Sequence, residues 1–211
     1  IVPDGSNTLI FNLSSQKITS ISNNVTVFHA NVVAIGVLCK HAKVFYENHH
    51  QEHKQVGIIF QPGGASHFFK TFIGDLKDIA INNNDLQNNL FDEWYDQLLH
   101  LPTPAQKLQF LTRKLSEVLM KEKDNTSGIY LVDFIKHHSH LNVKDMALKS
   151  GYTEQHLNRL IKQHTGINMK SLQKAFRINH AMKRLNQDFL DIKLTELAYE
   201  LDYFDQAHFI H

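Results

Sequence analysis

The stretch NVKDMALKSGYTEQHLNRLIKQHTG, residues 142–166, decides the fold of the C-terminal part of the chain. Asn142 is a good helix N-cap, and Gly151 stands where a helix ends in the left-handed conformation. Thr153 is the N-cap of a second helix, which Gly166 closes in the same way. Two short helices joined by a tight glycine turn are therefore predicted, and this is the arrangement of a helix-turn-helix motif.

The two helices separate apolar from polar residues. The positions expected to be buried are Met146, Ala147, Leu157, Leu160 and Ile161. The outward positions of the second helix are all polar: Gln155, His156, Asn158, Arg159 and Lys162. Arginine can bind guanine with two hydrogen bonds, asparagine and glutamine can do so with adenine, and lysine suits a phosphate. We expect these side chains to read DNA; an ordinary solvated helix face is the alternative.

The charge distribution points to the same segment. The chain has a net charge of only +1, yet ten basic residues and two acidic ones lie between Lys136 and Arg184. From Asn186 to the end the balance reverses, with six acidic residues and one lysine. Because nucleic-acid binding depends on where lysine and arginine cluster, the basic segment is the expected contact surface for double-stranded DNA.

A longer helix is predicted to follow the first motif. It runs from about Met169 to Leu185 and carries Lys170 near its start. At 1.5 Å per residue such a helix spans about 26 Å. The sequence LTELAYELDYFDQAHFIH, residues 194–211, then repeats the plan of a short helix, a turn and a second helix. The long helix would hold two such motifs at a spacing compatible with consecutive major grooves, about 34 Å apart.

The first eighty residues have a different pattern. Short apolar runs rich in Val, Ile and Phe, each of strand length, are broken by turn residues; they are Thr8–Leu13, Val25–Phe28, Val32–Leu38 and Val56–Phe60. Pro62-Gly63-Gly64 is a turn signal, and a short helix is expected over Ala65–Phe69. These features predict a small β-rich, barrel-like N-terminal domain.

Two amphipathic helices are predicted next. Leu86, Leu90, Trp94 and Leu98 recur at helical spacing, and after Leu101-Pro102 a second helix has Thr103 as N-cap and Pro104 at its first position. We expect the two to pack against each other. The apolar stripe of the second helix would either pack on the first helix or form a seam between two copies of the chain; it consists of Leu108, Leu111, Leu115 and Leu119.

The predicted organisation is an α+β protein. A β-rich sensor or dimerisation domain with a helical end covers 1–122, a polar linker without periodicity covers 123–128, and an all-α domain of two helix-turn-helix motifs joined by a long helix covers 129–211. The chain ends inside the second helix of the second motif, so the last domain is expected to be incomplete.

Residues 129–211 resemble the DNA-binding domain of the AraC/XylS family of bacterial transcription regulators. The block at 142–166 and the block LTELAYELDYFDQAHFI at 194–210 carry the resemblance. It implies that the second helix of each motif enters the major groove. By position, Gln155, Asn158 and Arg159 would read bases in the first motif. In the second motif the corresponding residues are Gln206, Ile210 and His211.

The second motif departs from the family pattern. Asp202 stands where a turn glycine is usual, Phe204 takes the place of a polar N-cap, and His211 stands where arginine is common. Together with the acidic balance after Asn186, these departures predict that the first motif supplies most of the affinity for DNA. An operator or promoter and RNA polymerase are the partners that the resemblance implies.

The N-terminal part also resembles a known type of domain. PDGSNTLIFNL at 3–13 and VGIIFQPGGASHFF at 56–69 are similar to a β-rich N-terminal domain, of uncharacterised function, found in a subset of AraC-like regulators. The resemblance implies control by a small effector or by homodimerisation, and the alternative is a structural domain with no ligand. A set of phenylalanines would line an effector pocket or form the core: Phe11, Phe28, Phe60, Phe68, Phe69 and Phe72.

Other classes of function have weaker signals. The imidazole and carboxylate groups of His49, His50, Glu52 and His53 could bind zinc or nickel, but a solvated loop fits their polar surroundings better. Pro62-Gly63-Gly64 resembles an oxyanion loop only superficially, since the sequence has no nucleophile elbow, P-loop or dinucleotide fingerprint. We therefore expect no enzyme, no metal and no cofactor. Cys39 is the single cysteine, and no apolar run is long enough for a membrane span, so a cytoplasmic protein is expected.

Overall fold

A computed structural model describes residues 5–14, 18–22, 25–29, 31–36, 43–46, 54–69, 72–86, 89–121 and 127–187. The β-rich part lies before residue 90 and the helical part after it. The strands are β1 Asn7–Asn12, β2 Ile18–Ser22, β3 Val25–His29, β4 Val32–Ile35, β5 Lys43–Tyr46, β6 Gln55–Phe60 and β7 Ala80–Asn82. The α+β class and the β-rich N-terminal part predicted from the sequence are thereby confirmed.

The strands form two antiparallel sheets. One has the order β6-β1-β4-β7 and the other the order β3-β2-β5. In the first sheet Leu9 lies opposite both Ala34 and Ile58. The sequence analysis identified β1, β3, β4 and β6 but not the shorter β2, β5 and β7, whose apolar residues are too few to give a clear alternation.

The central strands β1 and β4 are buried on both faces. Leu9 and Phe11 are fully buried on the face that meets the helices. Ile10 and Val33 pack together on the opposite face. Because successive side chains of a strand point to opposite faces, burial on both sides explains the nearly continuous apolar sequence of these strands.

Pro62-Gly63-Gly64 forms the predicted turn. Gly63 has a φ of +85°, and the backbone N–H of Gly64 donates to the carbonyl of Gln61 at 2.8 Å. A 3₁₀ helix, η1 (Gly64–His67), begins directly after the turn, and a second one, η2 (Ile73–Leu76), follows. A third, η3 (Asn83–Leu86), lies beyond β7. The glycines thus serve a change of chain direction.

Aromatic rings connect the first sheet to the helices. Phe60 contacts Phe68 and Phe69 at centroid distances of 5.0 and 5.5 Å. Phe69 in turn meets Phe91, which lies edge-on to Trp94. Of the phenylalanines considered as pocket residues, Phe11, Phe60, Phe68 and Phe69 belong to this core, whereas Phe72 is exposed. The side chain of Phe28 is outside the described part.

Two helices complete the β-rich part, α1 (Leu90–His100) and α2 (Pro104–Lys121). Thr103 and Gln106 form a reciprocal capping box: Thr103 Oγ1 accepts the Gln106 N–H at 3.3 Å, and Gln106 Oε1 accepts the Thr103 N–H at 3.2 Å. Leu86 belongs to η3 and not to α1, so the first predicted helix begins four residues later than its first apolar residue suggested.

The apolar stripe predicted for α2 divides between the core and solvent. Leu111 is buried and Leu115 packs against the core. Leu108 and Leu119 are 57% and 47% exposed, and the neighbouring Met120 is 74% exposed. The stripe is therefore only partly used in packing within the chain, because the buried face of α2 is centred on Phe110 and Leu111.

The helical part consists of α3 (Ser127–His137), α4 (Val143–Ser150), α5 (Glu154–Thr165) and α6 (Met169–Gln187). Helix α3 begins at Ser127, so the last two residues of the predicted linker are helical. The second predicted motif, residues 194–211, and the histidine cluster at 49–53 lie outside the described residues. No helix within the described part is long and apolar enough to span a membrane.

Candidate nucleic-acid interface

The first helix of the motif, α4, has the caps that its sequence predicts. The Asn142 Oδ1 accepts the backbone N–H of Asp145 at 2.9 Å, and its amide donates to the Asp145 carboxylate at 2.7 Å. Gly151 ends the helix with a φ of +74°, and the N–H of Tyr152 donates to the carbonyl of Ala147 at 3.1 Å. This left-handed cap makes the sharp turn that sends the chain into α5.

Helix α5 has matching ends. Thr153 Oγ1 accepts the N–H of His156 at 3.2 Å. At the other end Gly166 has a φ of +79°, and its N–H donates to the carbonyl of Lys162 at 2.9 Å. Both ends are thus fixed by hydrogen bonds that satisfy terminal backbone groups.

A small apolar core holds α4 and α5 at their angle. Met146, Leu157 and Ile161 are fully buried together with Ile135 of α3 and Leu172 of α6. Leu160 is only partly buried, because it lies at the edge of the stripe. Burial of each large apolar side chain contributes about 1.5–3 kcal/mol, so the helical part has a core of its own.

The opposite face of α5 presents polar groups to solvent. Gln155, Arg159 and Lys162 are exposed and fall on one stripe at helical spacing. The Arg159 guanidinium lies 3.3 Å from His156 Nδ1, and His156 also stacks on Tyr152 with ring centroids 5.1 Å apart. The contact is made by Nη2, a terminal nitrogen of the guanidinium, so the imidazole helps to orient this group.

Asn158 has a second role that sequence inspection did not reveal. Its side chain is exposed, but Asn158 Oδ1 accepts the backbone N–H of Met169, the first residue of α6, at 2.9 Å. The next cap comes from Asn168, whose Oδ1 accepts the N–H of Ser171 at 2.8 Å. Asn158 thereby ties α5 to the start of the long helix.

Lys170 lies beside the same joint. It is exposed and lines a shallow cleft of about 320 Å³ together with Gln155 and Asn158. The first turn of α6 contains no acidic residue. A helix N-terminus has a partial positive charge, which a neighbouring lysine reinforces toward an anion such as a DNA phosphate.

The C-terminal end of α5 packs against η1 and η2 of the β-rich part. Gly166 lies so close to η2 that a Cβ atom at this position would be 2.8 Å from the carbonyl oxygen of Ile73. His67 of η1 is buried and affects His164 electrostatically; burial, and secondly His67, lowers the pKa of His164. Helix α5 is therefore in direct contact with the N-terminal region.

Two further glycines lie at this junction. A Cβ at Gly63 would meet Val132 of α3 at 3.1 Å, and one at Gly5 would meet Leu172 of α6 at 3.5 Å. The β-rich and helical parts thus approach each other at backbone distance, and nothing in the hydrophobic pattern of the sequence indicates this contact.

The structure assembles five of the predicted DNA contacts on α5 and a sixth on α6. Gln155, His156, Asn158, Arg159 and Lys162 lie on one helix, with Lys170 close to Asn158. The remaining three, Gln206, Ile210 and His211, lie outside the described residues. Among the described residues no group of three or more His, Cys, Asp or Glu side chains could hold a metal ion.

Comparison with known proteins gives one family match. Residues 146–211 match the model of a family described as a helix-turn-helix domain. No curated protein matches the chain. Two solved structures of ToxT from Vibrio cholerae are similar to the chain at 15% identity and a TM-score of 0.49. Each match covers 96% of this chain and 83% of the ToxT chain. In one of the two structures ToxT is bound to (E)-4-(8-methylnaphthalen-1-yl)but-3-enoic acid.

The family match and the geometry of the motif agree. The matched region begins within α4 and includes the capped turn, the polar face of α5 and the long helix α6. The resemblance that the sequence blocks at 142–166 and 194–210 suggested is confirmed by this match. Residues 146–211 are therefore similar to a family of helix-turn-helix domains.

Proposed function

We propose that the chain is a sequence-specific DNA-binding regulator of transcription whose first motif reads bases through α5. The observation that carries the proposal is the exposed stripe of Gln155, Arg159 and Lys162 on a helix whose two ends and opposite face are fixed by caps and core packing. Rigid placement favours specific contacts, because little side-chain and backbone freedom is left to lose on binding.

Each residue of the stripe has a role that follows from its chemistry. Arg159, supported by His156, would bind a guanine through two hydrogen bonds, and Gln155 would bind an adenine. Lys162 and Lys170 would neutralise phosphates on either side. Asn158 contributes by holding α6 and keeps only its amide N–H groups free of this task.

We infer that the contact between α5 and the 3₁₀ helices η1 and η2 would couple the N-terminal region to DNA binding. A change in η1 or η2, caused by a small effector or by association of two chains, would displace Gly166 and with it the end of the reading helix. Homodimerisation is favoured by the exposed Leu108, Leu119 and Met120 of α2. An N-terminal region that only dimerises and takes no ligand is the second candidate.

Arg159→Ala tests the reading role, with Arg113→Ala as the matched control. Arg113 is also an exposed arginine on a helix, but it lies on α2, where it pairs with Glu117. On a selected DNA site in a gel-shift assay at physiological salt, we expect Arg159→Ala to weaken binding by roughly 5- to 150-fold, the loss of one bidentate base contact worth about 1–3 kcal/mol. Unchanged binding of Arg159→Ala would contradict the proposal.

Light scattering tests the dimer. We expect the full chain to be dimeric and Leu119→Glu to be monomeric, because a buried unpaired charge opposes the association of apolar faces. Gln97→Glu, on an exposed position of α1, serves as the control for added charge. A chain that remains monomeric at all concentrations favours control by an effector alone.

A further inference from the structure

A cleft of about 400 Å³ lies where the β-rich part meets the helical part. Its walls come from the turn after β6, from the C-terminal end of α3 and from the second half of α6, and they include Gln61, Pro62, Lys136, Phe176 and Lys183. We call it the junction cleft. Its volume lies within the range of sites that bury a small molecule, about 300–1,000 Å³. A molecule bound there would therefore touch both parts of the chain at once.

Two lysines give the junction cleft its charge. Lys136 and Lys183 are 47 positions apart in the sequence, and the fold brings both to this cleft. Within the described part of the chain neither lysine forms a salt bridge with a carboxylate. No Asp or Glu is among the lining residues, and Asp133 pairs instead with His137, its carboxylate lying 3.4 Å from the imidazole Nδ1. The cleft thus has two positive charges that no lining carboxylate neutralises.

The other polar side chains of the junction cleft are hydrogen-bond donors. Ser139 has a hydroxyl group, Gln61 has an amide, and His137 and His180 have imidazole rings. Beside them, the half-buried ring of Phe176 forms an apolar wall. Two ammonium groups among several neutral donors match an anion that has several oxygens and more than one charge, and the aromatic wall matches a flat ring.

The junction cleft lies away from the proposed DNA contacts. A helix turns by about 100° per residue, so Lys183 lies about 140° around α6 from Lys170 and about 20 Å farther along the helix axis. Phe176 and Lys183 instead continue the face of α6 on which Leu172 is buried. DNA bound along α5 and Lys170 would not reach this face, so a small molecule fits the cleft better than a DNA phosphate does.

We propose that the junction cleft binds a small molecule in which a doubly charged phosphate group adjoins an apolar ring. The phosphate would lie between Lys136 and Lys183, with Ser139 and Gln61 donating to its oxygens, and the ring would lie on Phe176. A carboxylate has a single charge and would neutralise only one of the two lysines. Binding rests on the cleft alone, whereas an effect of the bound molecule on DNA binding would rest on the proposed function.

Three simple compounds test the preference for two charges and a ring. Phenyl phosphate, inorganic phosphate and benzoate are each titrated into the full chain by isothermal titration calorimetry at pH 8, where both phosphates have nearly two charges. We expect phenyl phosphate to bind most tightly. Inorganic phosphate lacks the ring and benzoate lacks one charge, so each should bind about threefold more weakly or worse. High salt should weaken the binding of phenyl phosphate, because it screens charges at an exposed site.

Lysine variants locate the binding site. Lys136→Gln and Lys183→Gln should each weaken the binding of phenyl phosphate by about threefold or more, because each removes one charge. Lys174→Gln is the matched control and should leave binding unchanged, since Lys174 is an exposed lysine of α6 that does not line the cleft. At physiological salt the two cleft variants should bind DNA as the unchanged chain does, whereas Lys170→Gln should bind it more weakly. Failure of the cleft proposal and failure of the DNA-reading proposal therefore give different results.

Several outcomes would overturn the proposal. Phenyl phosphate does not bind in the millimolar range; or benzoate binds as tightly as phenyl phosphate; or Lys136→Gln and Lys183→Gln bind phenyl phosphate as the unchanged chain does; or Lys174→Gln weakens its binding as much as they do, which would indicate attraction by the general charge of the helical part. Loss of DNA binding in both cleft variants, equal to that in Lys170→Gln, would make the cleft a contact for the DNA backbone and would equally contradict the proposal.

Discussion

Substituting alanine for Gly166 tests whether the N-terminal region holds the end of α5, and Gly151 provides a matched control. Both glycines close a helix of the motif with left-handed backbone, at φ values of +79° and +74°. A Cβ at Gly151 would meet no atom within 4 Å, whereas one at Gly166 would lie 2.8 Å from the Ile73 carbonyl oxygen. The two substitutions therefore share the backbone strain and differ in the contact with η2.

The expected magnitudes follow from these two contributions. Left-handed backbone costs a non-glycine residue about 1–2 kcal/mol, which is the whole effect expected for Gly151→Ala. Overpacking adds about 1–3 kcal/mol, so Gly166→Ala should lower the free energy of unfolding by about 2–5 kcal/mol. For a chain of 211 residues each kcal/mol shifts the melting temperature by roughly 2–4 °C. Urea and thermal unfolding measure both variants.

Asparagine variants sharpen the comparison, because asparagine tolerates left-handed backbone better than alanine does. Gly151→Asn should be nearly as stable as the unchanged chain, and Gly166→Asn should remain destabilised by its Cβ contact with Ile73. The Gly166 variants should also bind DNA more weakly, since the end of α5 has to move. Equal loss of stability at the two positions would refute the conclusion that η2 packs closely against the end of α5.

Three other predictions concern single side chains. Asn158→Ala should lower the free energy of unfolding by about 1 kcal/mol, because the Met169 N–H loses its acceptor, and it should weaken binding to all DNA sequences alike. Asn158→Asp should restore stability, whereas a changed preference of Asn158→Ala for one base at an unchanged melting temperature would show a reading role instead. Thr103→Ala should cost about 1 kcal/mol through loss of the capping box, measured by urea unfolding, whereas Thr112→Ala, whose hydroxyl donates only within its own helix, should cost less. Burial and His67 lower the pKa of His164 below its usual 6.5, so the unfolded chain takes up the proton at a higher pH than the folded chain, and stability should fall as the pH drops below about 6.5. The urea midpoint, measured between pH 5 and 8, should depend less on pH in His164→Gln than in the unchanged chain, and an equal dependence would contradict this cause.

The helix-turn-helix motif could be predicted in detail because its decisive features are local. Asn142, Gly151, Thr153 and Gly166 act within one helical turn of their position, and helical spacing separates the buried Leu157 from the exposed Arg159. Caps and periodicity are properties of short stretches, so they can be read without knowledge of the rest of the fold.

The features that could not be predicted depend on residues distant in sequence. The contact of Gly166 with Ile73 joins positions 93 residues apart along the chain, and neither position has an unusual neighbour sequence. The short strands β2, β5 and β7 gain their order from pairing with partners in the sheets. The outward position of Asn158, its amide group and the family resemblance predict a base-reading role, and only the structure reveals its bond to Met169.

The division of α2 shows the same limit. The leucines at 108, 111, 115 and 119 satisfy a helical repeat, yet the structure buries Leu111 with Phe110 and leaves Leu108 and Leu119 exposed. A repeat identifies a helix and an apolar stripe, but the surface that covers each part of the stripe is set by tertiary packing. The exposed leucines of this stripe, Leu108 and Leu119, therefore form the surface proposed for association between chains.

The central claim is that α5 reads DNA sequence, and selection of bound DNA from a random pool tests it most directly. The full chain and Arg159→Ala are carried through the same rounds of selection, and the enriched sequences are compared base by base. We expect the unchanged chain to enrich a defined motif and Arg159→Ala to lose its preference for guanine at one position while it keeps the others. Failure of the unchanged chain to enrich any sequence, or an identical motif for both proteins, would contradict the claim.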